Sequence, residues 1–113
     1  MPPGLQVHFY VTSAGNEPVR EWLRALDDQS RKAIGIDIKE VQIGWPMGMP
    51  LVRKLEQGIW EVRSNIPGGI ARVLFTVIGP TMILLHGFVK KTDKTPVHEL
   101  KLARQRKNEV HND

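Results

Sequence analysis

Gly58-Ile59-Trp60-Glu61-Val62-Arg63-Ser64, Ile70-Ala71-Arg72-Val73-Leu74-Phe75-Thr76-Val77 and Thr81-Met82-Ile83-Leu84-Leu85-His86-Gly87-Phe88-Val89 are the runs that decide the fold. Rich in β-branched and aromatic residues, they read as strands. Pro67-Gly68-Gly69 and Gly79-Pro80 separate them, and both have hairpin-turn composition. Connections this short predict an antiparallel three-stranded meander. Side-chain alternation puts Ile59, Glu61 and Arg63 on one face and Trp60 and Val62 on the other. On the middle strand Ala71, Val73, Phe75 and Val77 form the core face, while Ile70, Arg72, Leu74 and Thr76 point away from it.

Upstream, Leu5–Val11 reads as a further strand, broken by Ser13-Ala14-Gly15-Asn16. Pro18 suits the first turn of a helix, and Val19, Trp22, Leu23 and Leu26 recur as an apolar stripe. Asp27-Asp28 offers an N-cap for a second helix carrying Ala33, Ile34, Ile38 and Val41, which Gly44 ends. Trp45–Pro50 is an irregular loop, and Arg53 and Lys54 precede the first meander strand. After it, Thr95-Pro96 reads as an N-cap and N1 for a helix over 97–110. That helix turns Val97, Leu100, Ala103 and Val110 inward, and Lys101, Arg104, Arg106 and Lys107 outward. The expected order is β-α-α-β-β-β-α, an α+β domain with helices on a mostly antiparallel sheet. At 113 residues the chain is expected to be one domain over 1–113.

Apolar residues make up 41% and charged residues 25% of the chain, the proportions of an ordinary globular protein. The absence of cysteine excludes a disulfide framework, a thiolate zinc site and a cysteine nucleophile. The longest apolar run falls short of the roughly 18 residues a membrane helix needs. The opening residues lack a signal peptide's basic and apolar regions. A cytoplasmic location without membrane contact is the expectation. Residues 1–50 carry a net charge of −1 and residues 51–113 a net +5. Such asymmetry fits either a polyanion bound on one face or a solvated surface with basic bias.

Arg63 and Arg72 admit two readings as well. Each pairs structurally with a carboxylate such as Glu56 or Glu61, or both line a face that grips a phosphate, where a guanidinium can bind two oxygens. Lys90, Lys91 and Lys94 at the end of the last strand, with Arg53 and Lys54 before the first, favour phosphate. His86, within a strand beside Leu84 and Phe88, is either packed or catalytic; His98, in the first helical turn, is either exposed or catalytic. His8 and His111 carry no spacing that suggests a site. No histidine pair has metal-ligand spacing, so neither a metal nor a cofactor is expected. Trp22 and Trp60 fall on core faces. Trp45 alone among the tryptophans is placed for substrate or partner contact.

The ordered set Lys54-Leu55-(x)2-Gly58-Ile59-Trp60-Glu61-Val62-Arg63, Ala71-Arg72-Val73-Leu74-Phe75 and Ile83-Leu84-Leu85-His86-Gly87-Phe88-Val89-Lys90-Lys91-Thr92-(x)2-Thr95-Pro96 closely resembles the RelE/HigB superfamily of toxins. It looks most like the phage-derived HigB-like branch, and the resemblance runs from about Tyr10 to Glu109. It implies a RelE-like fold and an endoribonuclease that cuts messenger RNA in the ribosomal A site and so inhibits translation. It also implies a helix-turn-helix antitoxin as partner, with operator DNA reached only through the toxin–antitoxin complex. Such cleavage needs a base for the ribose 2′-OH, cations for the crowded phosphorus and an acid for the 5′-oxygen.

Carried across by resemblance, Arg72 stabilises the phosphate. Lys90 or Lys91 shares that role or acts as acid, and Arg63 is structural or RNA-binding. Arg53, Lys54, Lys94 and His98 complete the expected RNA-binding set. The chain departs from the RelE pattern where Glu61 replaces a lysine and Val97 replaces a tyrosine, so those acid–base assignments do not transfer. The departures motivate a second reading, a degenerate toxin that binds its antitoxin without cutting RNA. A third is DNA binding through Lys101, Arg104 and Lys107.

Overall fold

The computed structural model describes residues 4–111; Met1, Pro2 and Pro3, part of the stretch read for a signal peptide, lie outside the described residues. The chain runs β1 (Gln6–Phe9), α1 (Pro18–Ala25), α2 (Asp28–Gly44), β2 (Val52–Glu56), β3 (Ile59–Ile66), β4 (Gly69–Ile78), β5 (Thr81–Lys90) and α3 (Val97–His111). One five-stranded sheet has the order β1-β5-β4-β3-β2. Its meander is antiparallel, and β1 joins the free edge of β5 in parallel. The α+β class and helix count are as expected, with one strand more. Arg53 and Lys54 do not precede the sheet; they lie in β2, paired opposite Glu61 and Trp60.

Local chemistry sets the helix ends. Pro18 occupies the first turn of α1, and the Asp27 side chain accepts from Ser30 N at 3.0 Å to cap α2. Arg31 Nη1 reaches back to Leu26 O at 2.9 Å, satisfying a carbonyl at the α1 terminus and fixing the corner between the helices. Among the described residues, no helix is long and apolar enough to cross a membrane.

The sheet is covered on both faces. Val19, Ile34, Ile38 and Val41 of α1 and α2 pack with Val62, Val73, Phe75, Met82 and Leu84. Burying a side chain such as Phe75 contributes about 1.5–3 kcal/mol. Trp45 is part of this core, its ring centroid 5.0 Å from that of Trp60 and 5.5 Å from that of Phe75. Its expected role in substrate or partner contact is therefore corrected to packing. At Gly87 a Cβ would sit 2.4 Å from Trp22 Cε3, so only glycine lets that indole lie on the sheet.

On the opposite face Ile59, Leu74, Leu85 and Phe88 pack with Ala103 of α3 and with Tyr10. Arg72, Leu74 and Thr76 were expected to point away from a core; instead each is fully buried. The alternation was right, but α3 and the segment before it roof this second face.

One irregularity re-aims a site residue. Leu74 pairs with His86 and Phe75 with Leu84, so Leu85 is an extra residue in β5. A bulge of this kind shifts the side-chain phase by one. His86 therefore does not share a face with Leu84, which lies in the α1–α2 core. It sides with Leu85 and Phe88 towards α3.

Candidate active site

The side chains of Arg53, Arg63 and Arg72 come from three adjacent strands and converge on residues 92–94, between β5 and α3. Arg53 Nη1 donates to Asp93 O at 3.2 Å. Arg63 Nη2 donates to Asp93 Oδ1 at 3.2 Å, and its Nη1 to Asp93 O at 3.4 Å. Arg72 donates to Lys94 O at 2.7 Å and, through Nη2, to Thr92 O. Backbone carbonyls left outside regular structure need donors, and guanidinium forks supply them.

Glu61 sits beneath this arrangement, fully buried. It accepts from Arg63 Nη1 at 2.8 Å and from Thr95 Oγ1 at 2.6 Å. The Thr95 hydroxyl thus serves the sheet, and no helix-capping hydrogen bond to it occurs among the described residues. Burial pulls the Arg72 guanidinium below its ordinary value, and the Glu61 carboxylate opposes that pull. The group stays charged, as arginine does in proteins. Arg72 Nε has no hydrogen-bond partner among the described residues. In this conformation the expected phosphate ligand touches loop carbonyls and the Phe88 ring, 6.0 Å from its Cζ, and no solvent.

The lysines divide differently. Lys90, Lys91 and Lys94 are exposed around the loop that the arginines hold. Lys54 is not with them, because its Nζ lies over the Trp60 ring at 6.0 Å, on the α1–α2 face. The expected cluster of seven cations is thus six on or beside one face, with Lys54 on the other.

Next to Phe88 on the same face, His86 Nε2 meets Glu99 Oε1 at 2.8 Å, both side chains about 15% exposed. A carboxylate on one ring nitrogen selects the imidazole tautomer and fixes its plane. Glu99 was not identified from the sequence. Its pairing depends on the β5 bulge, and its position in the first turn of α3 was the only available cue. His98 is 76% exposed with its Nε2 3.8 Å from Glu99 Oε1, so the two histidines flank one carboxylate.

The helix itself needs two corrections. Val97, expected inward, is 80% exposed. Arg106, expected outward, turns in, donating to Leu85 O at 2.8 Å with its Cζ 5.2 Å from the Tyr10 ring centroid. Leu85 is the bulged residue, so its carbonyl lacks the ordinary ladder partner and Arg106 supplies one. Of the suggested DNA-binding stripe, Arg104 is held by both oxygens of Glu56, at 2.9 and 2.7 Å, and Lys107 Nζ approaches Gln57 O at 3.4 Å. Lys107 also borders an open cleft of about 660 Å³ with Glu56, Gln57, Gly58, Asn108 and His111, none of them in the arginine cluster. Among the described residues no group of three metal-ligating side chains comes together.

The arrangement combines fixed cations, exposed lysines and an oriented imidazole–carboxylate pair on one sheet face. It can hold a polyanion and move a proton beside it. A family model for phage-derived Gp49-like proteins matches residues 21–108. Comparison with curated proteins finds no match.

Proposed function

Because the chain belongs to the phage-derived Gp49-like family, a RelE-like family associated with toxin–antitoxin toxins, we propose that it is a toxin endoribonuclease that cuts messenger RNA and inhibits translation. The observation that carries this reading is the convergence of Arg53, Arg63 and Arg72 on the lysine-bearing loop, beside the His86–Glu99 pair. In the proposed reaction the ribose 2′-oxygen attacks the adjacent phosphorus, its proton passes to a base, and the P–O5′ bond breaks as the 5′-oxygen gains a proton. His86, oriented by Glu99, serves as the proton-transfer group. Lys90, Lys91 and Lys94 meet the phosphates, and His98 lies at the rim. Arg72, buried beneath the loop and donating to its carbonyls, acts as a positioning residue. Mechanisms of this kind need no metal, since cationic side chains stabilise the phosphorane-like transition state.

The proposed setting is the ribosome in the cytoplasm. The proposed partner is a helix-turn-helix antitoxin, through which alone the protein reaches operator DNA. Induced expression without that partner should arrest growth of a bacterial host and yield cut transcripts with mapped 5′ ends. Normal growth and intact transcripts, with folded protein present, would overturn the reading. A second reading, a non-cutting toxin homologue that retains its antitoxin, is favoured by the burial of Glu61 and Arg72. Antitoxin binding without RNA cleavage on ribosomes would select it.

A further inference from the structure

We infer that Asp93 is an internal stand-in for an RNA phosphate, occupying a subsite formed by Arg63 and Arg53. The inference rests on the ribonuclease reading above and adds to it an acidic group of the chain itself that competes with the substrate.

Asp93 is the one acidic residue in Lys90-Lys91-Thr92-Asp93-Lys94. Its side chain is 88% exposed, yet its carboxylate turns to Arg63 Nη2 at 3.2 Å. Arg63 is 11% exposed, and its contact with the Asp93 carboxylate lies on the exposed side of the guanidinium, while its contact with Glu61 is part-buried. The two nitrogens of this fork have different duties: Nη1 serves buried Glu61 at 2.8 Å and the Asp93 backbone oxygen at 3.4 Å, while Nη2 alone meets the Asp93 carboxylate. Arg53 donates only Nη1 to the loop, through the Asp93 backbone oxygen, and its other N–H groups have no protein partner among the described residues. A phosphodiester carries the same charge as the carboxylate, and its two oxygens suit Arg63 Nη2 and the neighbouring Arg53 guanidinium. Exposed ion pairs are weak, so the carboxylate can be displaced while buried Glu61 stays in place.

Any RNA-binding protein gains affinity when an exposed acid is removed, so the test is a double-mutant cycle. Binding of a fluorescein-labelled single-stranded RNA dodecamer is measured for the full chain, Asp93→Ala, Arg63→Lys and the double variant. Lysine keeps the charge beside Glu61 but lacks the fork, so it avoids the unpaired buried carboxylate that Arg63→Ala would leave. Asp93→Ala should bind about three-fold tighter in the Arg63 background, the scale of one released surface pair. In the Arg63→Lys background the gain should disappear. An equal gain in both backgrounds, or no gain in the first, overturns the subsite while leaving the ribonuclease reading intact. Failure of every variant to bind the RNA overturns the subsite, while intact transcripts in the expression test overturn the ribonuclease reading. Should Arg63→Lys fail to fold, Arg53→Ala takes its place in the cycle, and a gain from Asp93→Ala that is unchanged there overturns the subsite.

Discussion

Arg72→Ala separates a positioning arginine from a phosphate ligand. The side chain is fully buried and gives hydrogen bonds to Thr92 O and Lys94 O, with Glu61 as the opposing charge. Hydrogen bonds from a charged donor contribute about 1.5–3 kcal/mol each. Two such bonds make a loss of about 3–6 kcal/mol, a large part of the roughly 5–15 kcal/mol of a typical domain. With a urea slope of about 1–3 kcal/mol per molar, the unfolding midpoint should fall by about 2 M. Far-UV circular dichroism in urea reads that shift, and limited proteolysis between Lys90 and Thr95 should accelerate. Arg72→Met, which keeps contact with Phe88, should lose less stability but release the loop equally. A midpoint within about 0.3 M of the parent, together with abolished RNA cleavage, would refute the reasoning: at that slope it marks a cost under about 1 kcal/mol. Arg72 would then be a direct ligand of the phosphate, and its loop contacts incidental.

Replacing Lys90, Lys91 and Lys94 by Ala should leave thermal unfolding unchanged and reduce the log–log salt slope of RNA binding by about 2, at about 0.7 per phosphate contact. His86→Ala should slow RNA cleavage by about 10²–10⁴-fold while RNA affinity holds; an equal loss of affinity would mark His86 as a tether for α3. Gly87→Ala drives a Cβ into the Trp22 ring and should cost about 1–3 kcal/mol by thermal melting. Pairing it with Trp22→Leu should recover part of that loss. Hydrogen bonds from Arg104 hold the Glu56 carboxyl below its ordinary range, so the pair stabilises the fold above that range and the contribution fades as pH falls through the lowered value. Burial and the bond to Glu109 raise the Tyr10 phenol, so its contribution is present below the ordinary tyrosine range and is lost as pH rises through the raised value. Urea midpoints against pH for Glu56→Gln and Tyr10→Phe check both: each variant should flatten one arm of the profile.

The contrast between legible and hidden parts of this chain follows from which forces act locally. Turn chemistry at Pro67-Gly68-Gly69 and Gly79-Pro80, and the stripe from Val19 to Leu26, are local, so the hairpins and first helix could be read directly. β2 was not legible, because Leu55 is an extra residue between Lys54 and Glu56 and breaks the alternation of an already charged strand. The β5 bulge is hidden for the opposite reason: Leu84 and Leu85 are both apolar, each suits a core, and nothing in their order tells which face each takes. His86–Glu99 inherits that ambiguity, since a one-residue slip decides whether the imidazole meets α3 or α1. The arginines pose a deeper case. A guanidinium fork satisfies loop carbonyls as readily as phosphate oxygens, so residue type alone could not divide Arg63 and Arg72 between structure and RNA. What divides them is the roof of α3 and residues 92–95, a tertiary fact. Once that roof is in place, Arg72 has no route to solvent, while Lys90, Lys91 and Lys94 stand on its outer side. Arg72 is thus the cation that holds the roof in place, and the lysines are the cations of the motif left exposed on it.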